Sequence, residues 1–161
     1  MKALPSYILA IDPSIRACGV ARLASQRIVA ETLRSKERND IEAIFDIFGQ
    51  LENTIGISGG MVFIIEQPVL LEDWTQNKKA GVAKLLKSFG AYLTLGRYAA
   101  DLWTPTPQEW KGQLPKSISH ARALSVLTEA EISYDIGGLD HNALDAVALI
   151  AAYLQKKGYV K

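Results

Sequence analysis

Short runs of apolar residues alternate along this chain with polar stretches, and their lengths predict strands. Three such runs come first and are close enough in sequence to form an antiparallel meander: 7–12, 19–24 and 27–33. Ser25 and Gln26 lie between the second and third runs, where they predict a hairpin-like turn. A wholly apolar run at 61–65 is typical of a strand buried on both faces, and a shorter strand is predicted at 102–104.

Helical periodicity follows the first three runs. Between residues 40 and 55, apolar side chains recur at spacings of three and four, and Asn39 or Asp40 is suited to cap that helix. Asp140 precedes the last predicted helix and Gly158 follows it, as a cap and a helix end would. Three further helices are predicted: 78–99, 118–130 and 141–156. Loops are predicted at 69–77 and 105–116, the second with one short turn.

This order of elements predicts an α/β fold with a mixed five-stranded sheet, whose first three strands are antiparallel and whose faces are covered by helices. A chain of 161 residues suits one domain, 1–161, with one substantial core. The single cysteine excludes an internal disulfide, and no apolar run approaches the roughly 20 residues that span a bilayer. The N-terminal residues do not form a signal peptide. We therefore expect a cytoplasmic protein with no membrane partner.

The charge distribution is polarised although the net charge is only +1. Residues 78–122 contain eight basic and two acidic residues, a net charge of +6, and the rest of the chain has a net charge of −5. Such polarity favours a nucleic-acid partner, whereas a solvated helix face is the simpler interpretation. The residues expected to contact DNA phosphates are Arg16, Lys78, Lys79, Lys84, Lys87, Lys111 and Lys116.

Asp12 and Glu66 follow the same sequence pattern. Each comes after five apolar residues and is followed within two residues by a proline, where a strand is predicted to end. Asp12 alone is readily explained as a turn residue, but Glu is a poor turn former and Glu66 has no local partner. Two acids at neighbouring strand ends would repel each other unless a cation lay between them. Hard cations such as Mg²⁺ or Mn²⁺ are held by a few carboxylates.

Asp145 is the best candidate for a third acid at this position. It lies one turn inside the last predicted helix, where an acid near the helix N-terminus is also stabilised by the dipole. His141 and Asn142 lie four and three residues before it, so all three can share one helix face.

The segments that contain these residues resemble the motifs of a known family. The segments "ILAIDPSIRACGVARL", "VFIIEQP" and "DHNALDAVALIAAYL" resemble, in order and spacing, the RuvC-type Holliday-junction resolvases of the ribonuclease H-like superfamily. The resemblance spans nearly the whole chain. It implies a ribonuclease H-like fold, a homodimer, and a magnesium- or manganese-dependent endonuclease that cuts four-way double-stranded DNA junctions.

The resemblance also implies a site with two metal ions. The family's metal ligands correspond to Asp12, Glu66 and Asp145. A fourth ligand, Asp or His, normally lies three residues before the last acid, and here that position is Asn142. Donor chemistry favours His141 as the fourth ligand, whereas position favours Asn142. This departure suits a divergent member, such as a phage-encoded one acting in the host cytoplasm.

Two other functions stay open. One is a 3′–5′ exonuclease of the same superfold, but those enzymes use an Asp-x-Glu pair on the first strand, and this chain has Asp12-Pro13-Ser14. The other is a junction-binding module without catalysis, which Asn142 favours.

Several apolar residues allow more than one role. Leu70, Leu71 and Trp74 are interpreted as core, dimer interface or a wedge that unstacks bases at a junction. Trp103 and Trp110 are interpreted as packing residues. The apolar face of the helix at 78–99 exceeds what one sheet would cover, which suggests a dimer contact. Gly19, near Arg16, is where a DNA backbone is expected to approach closely.

Overall fold

The structure is a computed structural model that describes residues 3–55, 60–71, 74–136 and 140–160. Six strands and five α-helices lie within those ranges. In chain order they are β1 (Tyr7–Asp12), β2 (Ala17–Ala24), β3 (Arg27–Arg34), α1 (Asp40–Thr54), β4 (Val62–Ile65), α2 (Gln76–Leu93), β5 (Asp101–Trp103), α3 (Pro107–Lys111), α4 (Lys116–Glu129), β6 (Ser133–Ile136) and α5 (His141–Lys156).

All six strands belong to one mixed sheet, in the order β5-β4-β1-β2-β3-β6. The first three strands form the predicted antiparallel meander. Ser25 and Gln26 form its hairpin turn, both with positive φ (48° and 61°), as a two-residue hairpin loop requires. The strands β4 and β5 run parallel to β1 on one side, and β6 runs parallel to β3 on the other. The predicted fold class is confirmed.

The prediction of five strands was wrong, because it lacked β6. This strand pairs in parallel with β3 at the edge of the sheet, from Arg27 opposite Ser133 to Ala30 opposite Ile136. Its sequence, SYDI, contains no apolar run, and Ser133, Tyr134 and Asp135 are exposed. An edge strand with one buried neighbour needs little apolar surface, so hydrophobic patterning does not reveal it.

The predicted helices are confirmed with small shifts at their ends. Asn39 caps α1 by accepting hydrogen bonds from the amides of Ile41 and Glu42, and Asp140 caps α5 through the amide of Asn142. The helix expected at 78–99 is α2 followed by a 3₁₀ turn at Thr94–Tyr98. The turn expected within 105–116 is α3.

Helices cover both faces of the sheet, because alternate residues of each central strand point to opposite faces. Ile8 and Ala10 of β1 pack in one apolar cluster with α4 and α5. Leu9 and Ile11 of the same strand pack in the other cluster with α1 and α2. The α5 face of the sheet is the one that carries the candidate site.

Over the described ranges, none of the helices combines the length and the apolar character needed to cross a bilayer.

Candidate active site

The predicted pairing of Asp12 with Glu66 follows directly from the parallel register of β1 and β4. Ile11 lies opposite Ile65, and the Glu66 amide donates a hydrogen bond to the Ile11 carbonyl at 3.1 Å. By strand alternation, Asp12 and Glu66 continue the face of Ala10 and Ile64, which α5 covers. Both carboxylates therefore lie at the same end and on the same face of the sheet.

Gly19 allows α5 to approach this end of the sheet. It lies opposite Asp12 on β2, and a Cβ atom at position 19 would lie 1.9 Å from the Asn142 carbonyl oxygen. Only glycine permits this contact, so the first turn of α5 lies directly over the strand. The close approach expected there from a DNA backbone is made by the protein's own helix.

The third acid, Asp145, is one turn further along α5 and is only 3% exposed. Two side chains of α4 contact its carboxylate. The Lys116 ammonium lies 2.5 Å from Oδ2, and the His120 Nε2 atom lies 2.7 Å from Oδ1. Together, Asp12, Glu66 and Asp145 form the acidic cluster.

Glu66 also has a partner from the segment that precedes α4. The indole N–H of Trp110, on α3, donates to Glu66 Oε2 at 2.5 Å. Trp110 also packs against the core on the α5 side of the sheet. It therefore has the predicted packing role and a second role as a hydrogen-bond donor to Glu66. The polar edge of its ring orients a carboxylate of the acidic cluster.

The pKa values of Asp12 and Glu66 show that both acids feel the charge of Asp145. Burial, followed by the charges of Glu66 and Asp145, raises the pKa of Asp12 to about 8. Burial also raises the pKa of Glu66, which the hydrogen bond from Trp110 partly offsets. For Lys116, burial would lower the pKa, but the hydrogen bond and charge of Asp145, with the other two acids, raise it. Burial and the neighbouring acids therefore favour the protonated forms of Asp12 and Glu66.

The donor chemistry of the acidic cluster suits a hard divalent cation, since its ligands are carboxylate oxygens. As the side chains are arranged, however, no three His, Cys, Asp or Glu groups within the described ranges are close enough to surround one ion. The Lys116 ammonium is the cation beside Asp145. This ammonium is 54% exposed and can withdraw. A metal ion would take its place only if the three carboxylates also moved closer together.

The two candidates for a fourth ligand differ in their exposure to solvent. His141 is the first residue of α5 and is exposed, while Asn142 is partly buried and its carbonyl lies against Gly19. The histidine that contacts the acidic cluster is His120, which sequence reasoning missed. One signal was present, because His120 lies four residues after Lys116 and so shares its face of α4.

The residues expected to contact DNA fall into two groups. Lys111 and Lys116 lie near the acidic cluster, with the Lys111 ammonium 5.0 Å from the Trp110 ring centroid. The other group is on α2: Lys78, Lys79, Lys84 and Lys87. Of these, Lys78 lies 5.0 Å from the centre of the Trp74 ring, and Lys84 pairs with Asp40 at 3.3 Å.

Arg16 has a visible structural role. Its guanidinium pairs with Asp40 at 2.7 Å and donates to the carbonyls of Glu37 and Arg38. It thereby ties the turn after β1 to the start of α1. A contact between Arg16 and DNA stays a prediction.

A cavity of about 560 Å³ opens beside Asp12 and Glu66, and the loop after β4 forms part of its wall. Leu70 and Leu71 are 51% and 45% exposed, so they are not core residues. Trp74 is partly buried and faces the same cavity. A dimer interface or a wedge that unstacks bases stays the prediction for this loop.

Several solved structures have a fold similar to that of this chain. No protein-family model matches the chain, and no curated protein matches it in sequence. Among solved structures, Thermus thermophilus RuvC in complex with Holliday junction substrate matches with a TM-score of 0.64 at 15% identity, covering 96% of this chain and 98% of that one. A second structure of the same RuvC matches with a TM-score of 0.62, also at 15% identity and with the same coverage.

The yeast mitochondrial Holliday junction resolvase Ydc2 matches with a TM-score of 0.61 at 10% identity, covering 98% of this chain and 81% of that one. These similarities extend over nearly the whole chain and include the strands that carry the acidic cluster. The chain therefore has the fold of the RuvC-type Holliday-junction resolvases.

Proposed function

We propose that this protein is a divalent-metal-dependent endonuclease that resolves four-way DNA junctions by paired phosphodiester hydrolysis in a homodimer. The observation that carries the proposal is the convergence of Asp12, Glu66 and Asp145, from three separate elements, on one end of a RuvC-like sheet. A fold alone does not define an activity, so the proposal depends on this site.

Asp12, Glu66 and Asp145 would hold two Mg²⁺ or Mn²⁺ ions, with His141 or Asn142 as further candidates near the start of α5. When bound, the ions would activate a water molecule and neutralise charge on the leaving oxygen. Asp12, from the central strand, feels the charges of both other acids and would be one of the residues that hold the ions. Trp110 would hold Glu66 in a fixed orientation, and Lys116 would leave Asp145.

A homodimer suits this reaction, because a junction with two matched strands needs two matched active sites. The surface that favours dimerisation is on α2 and the loop before it, where Leu70, Leu71 and Leu86 are exposed. The lysines of α2 lie along the same helix and would contact the phosphates of DNA arms.

One observation favours a junction-binding module without catalysis. The Lys116–Asp145 ion pair neutralises an acid that a nuclease would use as a ligand. If the pair persisted with DNA bound, the protein would bind junctions without cutting them. No comparable observation favours the exonuclease, because Ser14 lies where such an enzyme needs a glutamate.

A cleavage assay on a synthetic four-way junction tests the proposal, with linear duplex of the same sequence as the control. We expect Mg²⁺- or Mn²⁺-dependent paired nicks in the junction and none in the duplex. Asp12→Asn, Glu66→Gln and Asp145→Asn should each abolish cleavage while junction binding in Ca²⁺ is retained. Junction binding without nicking in any divalent metal would favour the binding module, and full activity of Asp12→Asn would contradict the metal site.

A further inference from the structure

The chain has only two histidines, and only one of them contacts the acidic cluster. His120 projects from the second turn of α4, and its side chain is 12% exposed. Its Nε2 atom lies 2.7 Å from Asp145 Oδ1. His141, although it belongs to the motif that carries the resemblance, is exposed at the start of α5. The buried imidazole therefore comes from a different helix from the one that carries Asp145.

The two α4 side chains on Asp145 are not equivalent. Lys116 takes Oδ2 through a long side chain that is 54% exposed, whereas His120 takes Oδ1 through a ring that packing largely encloses. A flexible ammonium can be displaced by another cation more readily than an imidazole that is largely enclosed by its surroundings. Displacement of Lys116 would thus expose Oδ2 while Oδ1 stayed bound.

We propose that His120 is the positioning residue of Asp145. Its Nε2–H donates to Oδ1, since a carboxylate can only accept, and this bond fixes the carboxylate while Oδ2 faces the Lys116 ammonium. The inference rests on the proposed function, in which Oδ2 becomes a metal ligand. Hydrogen bonds of this kind hold ligating carboxylates in orientation at metal sites.

This role distinguishes the chain from the pattern it resembles. Asn142 stands where an Asp or His ligand is expected on the last helix. An imidazole comes instead from α4, where His120 contacts the Asp145 carboxylate. The histidine thus acts on the metal site through Asp145 and from another element of the fold.

Metal binding in the absence of DNA tests the inference without relying on cleavage. Mn²⁺ affinity is measured by calorimetry and by electron paramagnetic resonance on the full chain and its variants. We expect His120→Ala to weaken Mn²⁺ binding by roughly 10- to 100-fold, the usual effect of removing an outer-shell partner. His120→Gln should restore most of the affinity, because its amide N–H can donate to the same oxygen.

One further variant completes the comparison. Ser125→Ala alters an exposed position on α4, the helix that carries His120, where the hydroxyl donates to Glu129. This variant should keep an affinity close to that of the unaltered protein. Thermal unfolding of each variant establishes that it is folded, and the ring Nε2–H proton resonance of His120 should be protected in the unaltered protein and lost in Asp145→Ala.

The outcomes separate this inference from the proposed function. Unchanged Mn²⁺ affinity in His120→Ala, or equal loss in His120→Gln and His120→Ala, would overturn the positioning role. Failure of the unaltered protein to bind Mn²⁺, or binding that Asp145→Ala leaves unchanged, would instead refute the metal site itself.

Discussion

Asp12 is the residue at which burial and like charge act together. Its pKa of about 8 lies far above the ordinary value of 3.8, so the metal-free protein holds this carboxyl protonated near neutral pH. A divalent ion would compete with that proton. Binding of metal is therefore coupled to proton release from Asp12, and the apolar residues of β1 that bury the acid are the cause of the coupling.

The first prediction concerns stability against pH. Because the folded pKa of Asp12 exceeds the unfolded one, the folded state retains a proton that the unfolded state loses, and stability falls as pH rises from 3.8 towards about 8. Asp12→Asn removes this loss. One pKa unit corresponds to about 1.4 kcal/mol. At pH 9 we therefore expect the free energy of unfolding of the variant to exceed that of the unaltered protein by at least about that amount.

Urea unfolding at pH 5 and pH 9, with a chelator present, measures the difference. The excess stability of the variant over the unaltered protein should be larger at the higher pH than at the lower one, because the loss grows from the unfolded pKa towards the folded pKa. Parallel pH dependences would show that Asp12 ionises freely in the folded protein.

The second prediction concerns Trp110 and Glu66. Trp110→Phe keeps most of the ring packing but removes the indole N–H that lowers the pKa of Glu66. The pKa of Glu66 should rise further, so the acidic limb of the pH–cleavage profile should move to higher pH. Trp103→Phe is the control, since that ring packs against Tyr153 and Lys156 instead. An unchanged profile in Trp110→Phe would separate Glu66 from the reaction.

At the scale of elements, the position of α5 decides whether the acidic cluster exists. Its first turn lies on Gly19, and this contact sets how far Asp145 stands from the strand ends that carry Asp12 and Glu66. The segment from α3 to α4 then closes over the same end of the sheet, with Trp110, Lys116 and His120 as its polar contacts. Three separate elements thus converge on two strand ends.

The third prediction tests the contact between α5 and β2. In Gly19→Ala the new Cβ would meet backbone atoms of Asn142, so α5 must shift. We expect a loss of roughly 1–3 kcal/mol or more in stability and a loss of cleavage larger than the loss of folded protein. Gly49→Ala is the control: nothing lies near that position in α1, so the change should stabilise the helix by roughly 0.5–1 kcal/mol. Equal behaviour of the two variants would contradict the contact.

At the scale of the whole molecule, the two sides of the sheet present different surfaces. The α5 side carries the acidic cluster, while the α2 side carries exposed leucines and a row of lysines. The basic helix suits a partner that carries phosphates along its length. The acidic cluster suits a metal ion bound at one point.

The fourth prediction concerns the proposed dimer. Leu86→Asp places a charge on the exposed apolar face of α2, where Leu86 is 39% exposed. An unpaired charge in an interface is costly, so we expect the dimer dissociation constant to rise at least about tenfold by sedimentation. Leu114→Asp, which is similarly exposed near α4 on the other side of the sheet, should leave the association unchanged. Weakening by Leu114→Asp alone would place the interface there.

The fifth prediction concerns DNA affinity. Lys78 and Lys87 are both exposed on α2. If each neutralises one phosphate, the slope of log affinity against log salt should decrease by about 0.9 per residue removed, or about 1.8 for Lys78→Ala with Lys87→Ala. Lys36→Ala changes an exposed lysine outside the basic segment and should leave the slope unchanged. An unaltered slope in the double variant would exclude α2 from the DNA surface.

Much of the fold could be predicted from local sequence. The limits of β1 and α5 coincide with those predicted, because apolar runs, caps and helical spacing are local properties. The strand β6 could not be predicted in that way, because its stability comes from pairing with β3 and not from its own side chains.

The sequence by itself identified the three acids as candidates, since each stands at the end or near the start of an apolar element. Only the tertiary structure decided their partners. Trp110 and His120 lie 44 and 25 residues from the carboxylates they contact, and no local pattern relates groups so far apart in the chain. Side-chain chemistry is local, but a hydrogen bond between distant residues depends on how the helices pack, which is a property of the whole fold.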